Sequence, residues 1–165
     1  MRARPPPATL LRMTDADYLD LALRDAAQAF ARGDWPVAAL IVRDGTILGA
    51  GQNRQNSEGD LMWHAETDAL RNAARTHDAA AVAGATLYST MEPCPMCAWA
   101  MKLAGIRRLV LGLRNTRLRR TDLGAYTIES FCALTAYPLE LTTGVREAEC
   151  LALRQRWGQD PVARV

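Results

Sequence analysis

Two short segments constrain this chain more than anything else in it: Trp63-His64-Ala65-Glu66, and Glu92-Pro93-Cys94-Pro95-Met96-Cys97. Each reads as the opening of a helix. Cys94 and Cys97 stand three apart and so share one face of a helical turn. Alone, such a pair also fits a redox couple or half of a structural zinc site. Joined by one imidazole, His64, it suits Zn²⁺, which takes nitrogen and sulfur donors in a tetrahedron. Three protein ligands leave one corner open for water, as catalytic sites do. Two helix N-termini aimed at the same point offset the thiolate charges and lower thiol pKa. A zinc-bound water ionises near pH ~7. Glu66 follows His64 too closely to be a comfortable fourth ligand, and is placed to take a proton from that water and pass it on.

The elements around these segments follow from periodicity. Thr14 with Asp17 reads as a capping pair. Leu19, Ala22, Leu23, Ala26, Ala27 and Phe30 then recur at helical spacing until Gly33. Val37–Val42 is an apolar run short enough for a buried strand, Asp44-Gly45 is a hairpin turn, and Thr46–Gly51 is the returning strand. Residues 52–63 read as polar loop and His64–Arg75 as a helix. A third strand is expected over Ala85–Ser89, a helix over Cys94–Leu103 with Pro95 in its first turn, and a fourth strand over Ile106–Leu113. A short helix (Tyr126–Ala136), a fifth strand (Pro138–Thr142) and a last helix (Arg146–Trp157) complete the order. One hairpin followed by strand–helix alternation predicts an α/β protein with a mixed sheet between helices. About 24 residues separate the fourth and fifth strands, room for a helical crossover, so these two should run parallel.

At 165 residues the chain is one domain's worth of protein. Residues 1–13, with Pro5-Pro6-Pro7, read as an extended arm before a domain over 14–165. No stretch approaches the roughly 20 apolar residues that span a bilayer, and no signal-peptide pattern follows the basic N-terminus. A cytoplasmic setting is therefore expected, in which four cysteines point to metal or catalysis rather than disulfides. The net charge of +2 is too small to argue for nucleic acid by itself. The local cluster Arg107, Arg108, Arg114, Arg117, Arg119 and Arg120 is the best argument for RNA, set against a solvated loop or a dimer interface.

With His-x-Glu followed by Pro-Cys-x-x-Cys, the chain resembles the cytidine-deaminase-like superfamily. The likeness extends over residues 14–157 through Trp35-Pro36-Val37-Ala38-Ala39, Gly51-Gln52-Asn53-Arg54, His64-Ala65-Glu66 and Met91–Cys97. It is strongest to the branch of tRNA adenosine deaminases, guanine deaminases and fungal-type cytosine deaminases. The resemblance implies a three-layer α/β/α fold with a five-stranded sheet and one Zn²⁺ held by His64, Cys94 and Cys97. It implies Glu66 as proton shuttle, Asn53 and the Ala65 backbone N–H as base contacts, hydrolytic release of ammonia, and a homodimer.

For the substrate, Asp60-Leu61-Met62-Trp63 replaces the Asp-Pro-Thr-Ala of many relatives. Trp63 is then a candidate wall for a flat ring, Trp157 a candidate lid, and Asp122 or Glu129 a candidate acid for a base's 2-amino group. On these grounds the expected substrate is a small molecule: a free nucleobase or similar heteroaromatic amidine of cytosine, guanine or amino-triazine type. The alternatives are adenosine in the tRNA anticodon, and a non-catalytic zinc-stapled RNA-binding module. The module needs a fourth ligand, for which His77, Cys132 and Cys150 are the spare candidates.

Overall fold

A computed structural model describes residues 13–118, 120 and 122–159. All of the expected arm except Met13 lies outside the described residues. Helix α1 (Asp15–Ala31) begins with the expected box: Asp17 N–H donates to Thr14 Oγ1 and Thr14 N–H to Asp17 Oδ2. Strands β1 (Ala38–Arg43) and β2 (Thr46–Gln52) meet at Asp44-Gly45, both with positive φ, as the tight turn requires. The polar loop expected at 52–63 contains a short helix, α2 (Gln55–Glu58). The Asn56 and Ser57 N–H groups in its first turn are held by Asp34, a residue too distant in sequence for periodicity to register.

Helix α3 (Ala65–Thr76) follows, then a second unforeseen short helix, α4 (Ala79–Val82), capped by Asp78. Next come β3 (Thr86–Met91), α5 (Pro95–Leu103) and β4 (Arg108–Leu113). Asn115–Leu118 form a 3₁₀ turn, and α6 (Ile128–Thr135), β5 (Glu140–Thr143) and α7 (Glu147–Gln159) finish the fold.

The sheet order is β2-β1-β3-β4-β5. β1 is antiparallel to β2 and β3, whereas β3–β4 and β4–β5 are parallel. The expected mixed sheet with parallel fourth and fifth strands is therefore present. The two sheet faces carry separate cores. Ile41, Leu87, Leu109 and Leu111 meet Ala69, Leu70 and Ala73 of α3 and Ala98 and Met101 of α5. Leu40, Val42, Tyr88 and Val110 meet Tyr18, Leu19 and Ala22 of α1.

The seating of α3 decides where the site lies. Gly49 and Gly51 of β2 leave no room for side chains: a Cβ on Gly51 would stand 2.2 Å from the Ala69 nitrogen and 2.3 Å from the Ala65 oxygen. The helix backbone thus rests directly on the strand, and Ala65, Ala69 and Ala73 give it a face narrow enough to do so.

Candidate active site

The start of α3 carries His64 and Glu66; the start of α5 carries Cys94 and Cys97. His64 and Cys94 are the N-cap residues of their helices, both in extended backbone. Tyr126 Oη donates to the Pro93 carbonyl (2.7 Å), pinning the turn into α5. His64 Nδ1 lies 3.5 Å from each cysteine sulfur, and the sulfurs are 3.6 Å apart. A disulfide would need about 2.05 Å. Tetrahedral zinc, with Zn–S near 2.3 Å and Zn–N near 2.0–2.1 Å, implies edges of about 3.8 Å between sulfurs and about 3.6 Å from nitrogen to sulfur. The donor set and its spacing fit Zn²⁺. Among the described residues this is the only group of three or more His, Cys, Asp or Glu side chains arranged to hold a metal. His77, Cys132 and Cys150 do not join it, so the fourth ligand that a structural zinc staple needs is not supplied by them.

The electrostatics favour an anion on sulfur. The hydrogen bond from Cys97, then the neighbouring His64, holds the Cys94 thiol down at about 4 against the opposing effect of burial. Glu66 is 3% exposed, and Ser89 Oγ donates to its Oε1 at 3.1 Å. Burial, reinforced by the Cys94 charge, pushes its carboxyl above the usual carboxylate range. It is a group able to hold a proton at the floor of the site.

A cavity of about 180 Å³ opens over this cluster, lined by Trp35, Val37, Asn53, Gln55, Ala65, Met91, Glu92 and Arg120 besides His64, Glu66 and Cys94. Asn53 is 4% exposed, and its carboxamide is oriented by Gln55, donating to Gln55 Oε1 (2.9 Å) and accepting from Gln55 N–H (3.1 Å). Arg32 steadies the same corner, donating to the Asn53 carbonyl (3.0 Å) and to Asp34 (2.8 Å). Glu92 accepts from the backbone N–H groups of Asn115 (2.8 Å) and Ile128 (2.9 Å) and from Arg114 (3.1 Å), which ties β4 and α6 to the wall.

Six of the ten expected site residues thus converge: Asn53, His64, Ala65, Glu66, Cys94 and Cys97. The other four stand elsewhere. Trp63 is half-buried outside the lining, its indole N–H without a protein partner among the described residues. Trp157 is buried outside the lining and packs its ring against Phe30 (5.9 Å) and Trp35 (6.0 Å), backing the wall. Glu129 is held by both terminal nitrogens of Arg114 (2.7 Å each) and Asp122 by Arg120, and neither residue lines the cavity. Trp35, Val37, Gln55, Met91, Glu92 and Arg120 line the cavity without having been expected as site residues. Trp35 precedes the strand across from the site, and Arg120 lies in a loop without periodicity.

The fold and this site define a zinc-dependent deaminase. The chain belongs to the cytidine-deaminase-like superfamily: residues 12–113 match the family described as the cytidine and deoxycytidylate deaminase zinc-binding region. It is 38% identical over 93 residues to the tRNA-specific adenosine deaminase of Aquifex aeolicus, covering 56% of this chain and 62% of that protein. Against the tRNA-specific adenosine deaminase of Bacillus subtilis it is 31% identical, covering 82% of this chain and 83% of that one. A solved structure from a study of A-to-I editing by tRNA:A34 deaminases at the wobble position superposes with a TM-score of 0.70 at 32% identity, over 82% of this chain and 97% of the other. A guanine deaminase from Nitrosomonas europaea shares the fold at 26% identity, over 94% of each chain, with a TM-score of 0.73.

These relatives overturn the expectation of a free-nucleobase substrate. That expectation leaned on Trp63, Trp157, Asp122 and Glu129, and none of the four lines the cavity.

Proposed function

We propose that the protein is a tRNA-specific adenosine deaminase, converting adenosine to inosine at the anticodon. The observation that carries this reading is the three-donor cluster beside a buried Glu66, in a chain whose first curated relatives all bear that name. Residues 14–165 are taken as the deaminase domain.

His64, Cys94 and Cys97 would hold Zn²⁺, which would supply a Lewis acid able to make water a nucleophile at neutral pH. Glu66 accepts the proton that water loses and places it on adenine N1, which makes C6 electrophilic. The new C6–O bond forms and the C6–N bond breaks. Glu66 then takes the proton of the new C6 hydroxyl, which becomes the carbonyl of inosine, and delivers it to the departing amine, which leaves as ammonia. The Ala65 N–H, at the first position of α3, and the Asn53 carboxamide orient the base, and Val37, Met91 and Trp35 form its walls. Such fixed polar groups stabilise developing charge without reorganising.

The same reading takes the protein to be a cytoplasmic homodimer. It is supported by an apolar groove between α3, α4 and α5, lined by Leu70, Val82, Ala100 and Leu103, beside Trp99, which is 47% exposed. No helix among the described residues is long and apolar enough to cross a membrane.

The test is ammonia release from unmodified tRNA, adenosine and a panel of free bases. Turnover of tRNA alone is expected. Turnover of a free base with silence on tRNA would overturn the assignment. Glu66→Ala should lose turnover while keeping its zinc.

A further inference from the structure

The main chain of Asn53 is held from both sides. Its N–H donates to the Val37 carbonyl (2.9 Å), and its own carbonyl accepts from Arg32 Nη2 (3.0 Å). What remains is the turn of the carboxamide about its last bond. A half-turn exchanges the oxygen and the NH2 group, which have nearly the same shape and opposite hydrogen-bonding character. After such a half-turn a base would meet a donor in place of an acceptor.

Gln55 removes that freedom. Its Nε2 donates to the Leu61 carbonyl (2.9 Å). A carbonyl only accepts, so the Gln55 amide must turn its NH2 group toward Leu61 and its oxygen away. That oxygen, Oε1, accepts from Asn53 Nδ2 (2.9 Å), while the Gln55 backbone N–H donates to Asn53 Oδ1 (3.1 Å). A backbone N–H only donates, so the two bonds agree on one setting of Asn53 and both oppose the reverse. Gln55 is anchored in turn: it opens α2, whose Asn56 and Ser57 N–H groups are held by the buried Asp34. Asn53 and Gln55 both line the cavity. Each end of the Asn53 carboxamide keeps one further hydrogen or lone pair beyond these bonds, and those are what a base can read.

We propose that Gln55 is a positioning residue for the deamination: it locks the Asn53 carboxamide in one polarity, and takes its own polarity from the backbone of the rim loop at Leu61. The proposal rests on the reading above that Asn53 orients the base. Donor and acceptor are then set before the substrate arrives, so binding needs no reorganisation of the amide. Because the anchor is a backbone carbonyl, the Leu61 side chain, 79% exposed, has no share in the lock and is open to change.

The experiment uses the zinc-loaded full chain. Values of kcat and KM are measured on an anticodon stem-loop for wild type, Gln55→Leu, Gln55→Ala and Asn53→Ala, and for each Gln55 change combined with Asn53→Ala. Either Gln55 variant should lower kcat/KM roughly tenfold in the wild-type background, and by less than about twofold once Asn53 is replaced. Equal losses in both backgrounds would reduce Gln55 to a structural part and overturn the proposal. So would the absence of any loss in variants that melt normally and hold zinc. A second measurement needs no substrate. The ¹⁵N–¹H signals of the Asn53 side-chain NH2 group, assigned by their loss in Asn53→Ala, should move toward those of an unbonded carboxamide in Gln55→Leu; unmoved signals would refute the lock. If wild type turns over a free base and not the stem-loop, the RNA reading falls, and the same cycle run on that base decides Gln55.

Discussion

Gly51→Ala should damage both the fold and the active site, through one mechanism. A Cβ there would stand 2.2 Å from the Ala69 nitrogen. An ordinary contact begins near 3.4 Å, so α3 must withdraw by about 1.2 Å. The obstacle is helix backbone, which cannot rotate away as the tip of a side chain can. Overpacking of this kind costs typically 1–3 kcal/mol, and a backbone-on-backbone clash belongs at the upper end. At 2–4 °C per kcal/mol for a chain this size, the melting temperature should fall by roughly 6–12 °C. His64 and Glu66 ride on the displaced helix, while Cys94 and Cys97 stay with α5. A misplacement of about 1 Å at a catalytic group costs on the order of 100-fold in rate. Calorimetry, zinc content and tRNA turnover measure the three effects. Gly59→Ala is the comparison: its φ is +63° but its Cβ meets nothing, so only backbone strain of about 1–2 kcal/mol is expected, with turnover intact. If Gly51→Ala melts within about 2 °C of wild type and turns over normally, the seating argument is wrong.

Asp34→Asn should lower stability by about 2–4 kcal/mol, read from urea midpoints, because a fully buried carboxylate accepts from Asn56 N–H, Ser57 N–H, Ser57 Oγ and Arg32 Nε at 2.7–3.0 Å. Burial raises the Asp34 pKa, but the bonds from Ser57 and Arg32 outweigh it and leave the folded carboxyl below its ordinary value. A depressed carboxyl stabilises above its unfolded pKa, so the gap between wild type and Asp34→Asn should be full above about pH 5 and shrink as pH falls through 4 and below. A strong chelator should abolish turnover and lower the melting temperature, and added Zn²⁺ should restore both in a concentration-dependent way. Cys132→Ser and His77→Asn should leave one zinc per chain by elemental analysis; loss of the ion in either would revive a fourth protein ligand. Sedimentation should show a dimer, and Leu103→Glu, placing a charge in the apolar groove, should shift it toward monomer.

Local signals in the sequence carried the reading furthest. Thr14 and Asp17 bond each other across three residues, and Asp44-Gly45 needs only its own dihedral angles, so both were legible. The apolar runs of β1 and β4 are buried on both faces and lack alternation, yet their shortness marked them as strands. Helices α2 and α4, four residues each, have no period to detect. The metal donors were legible because coordination demands particular atoms at particular spacing. Trp35 and Arg120 were not, because a cavity wall demands only that something of suitable shape arrive there. The substrate was misjudged for a related reason. The residues at the site's floor serve a free base and a base within RNA alike, so what discriminates them lies at the rim, where Trp63 was expected as a wall and stands outside the cavity lining.

The direct rest of α3 on β2 has a consequence for how such a protein can change over generations. His64 and Glu66 are fastened to a helix that cannot slide without unseating the sheet, so the reaction is insured by the same contacts that keep the molecule folded. Arg120 and the segment around Trp63 carry no such obligation. Selection, natural or in the laboratory, is free to redraw the outline of what enters while leaving the chemistry untouched.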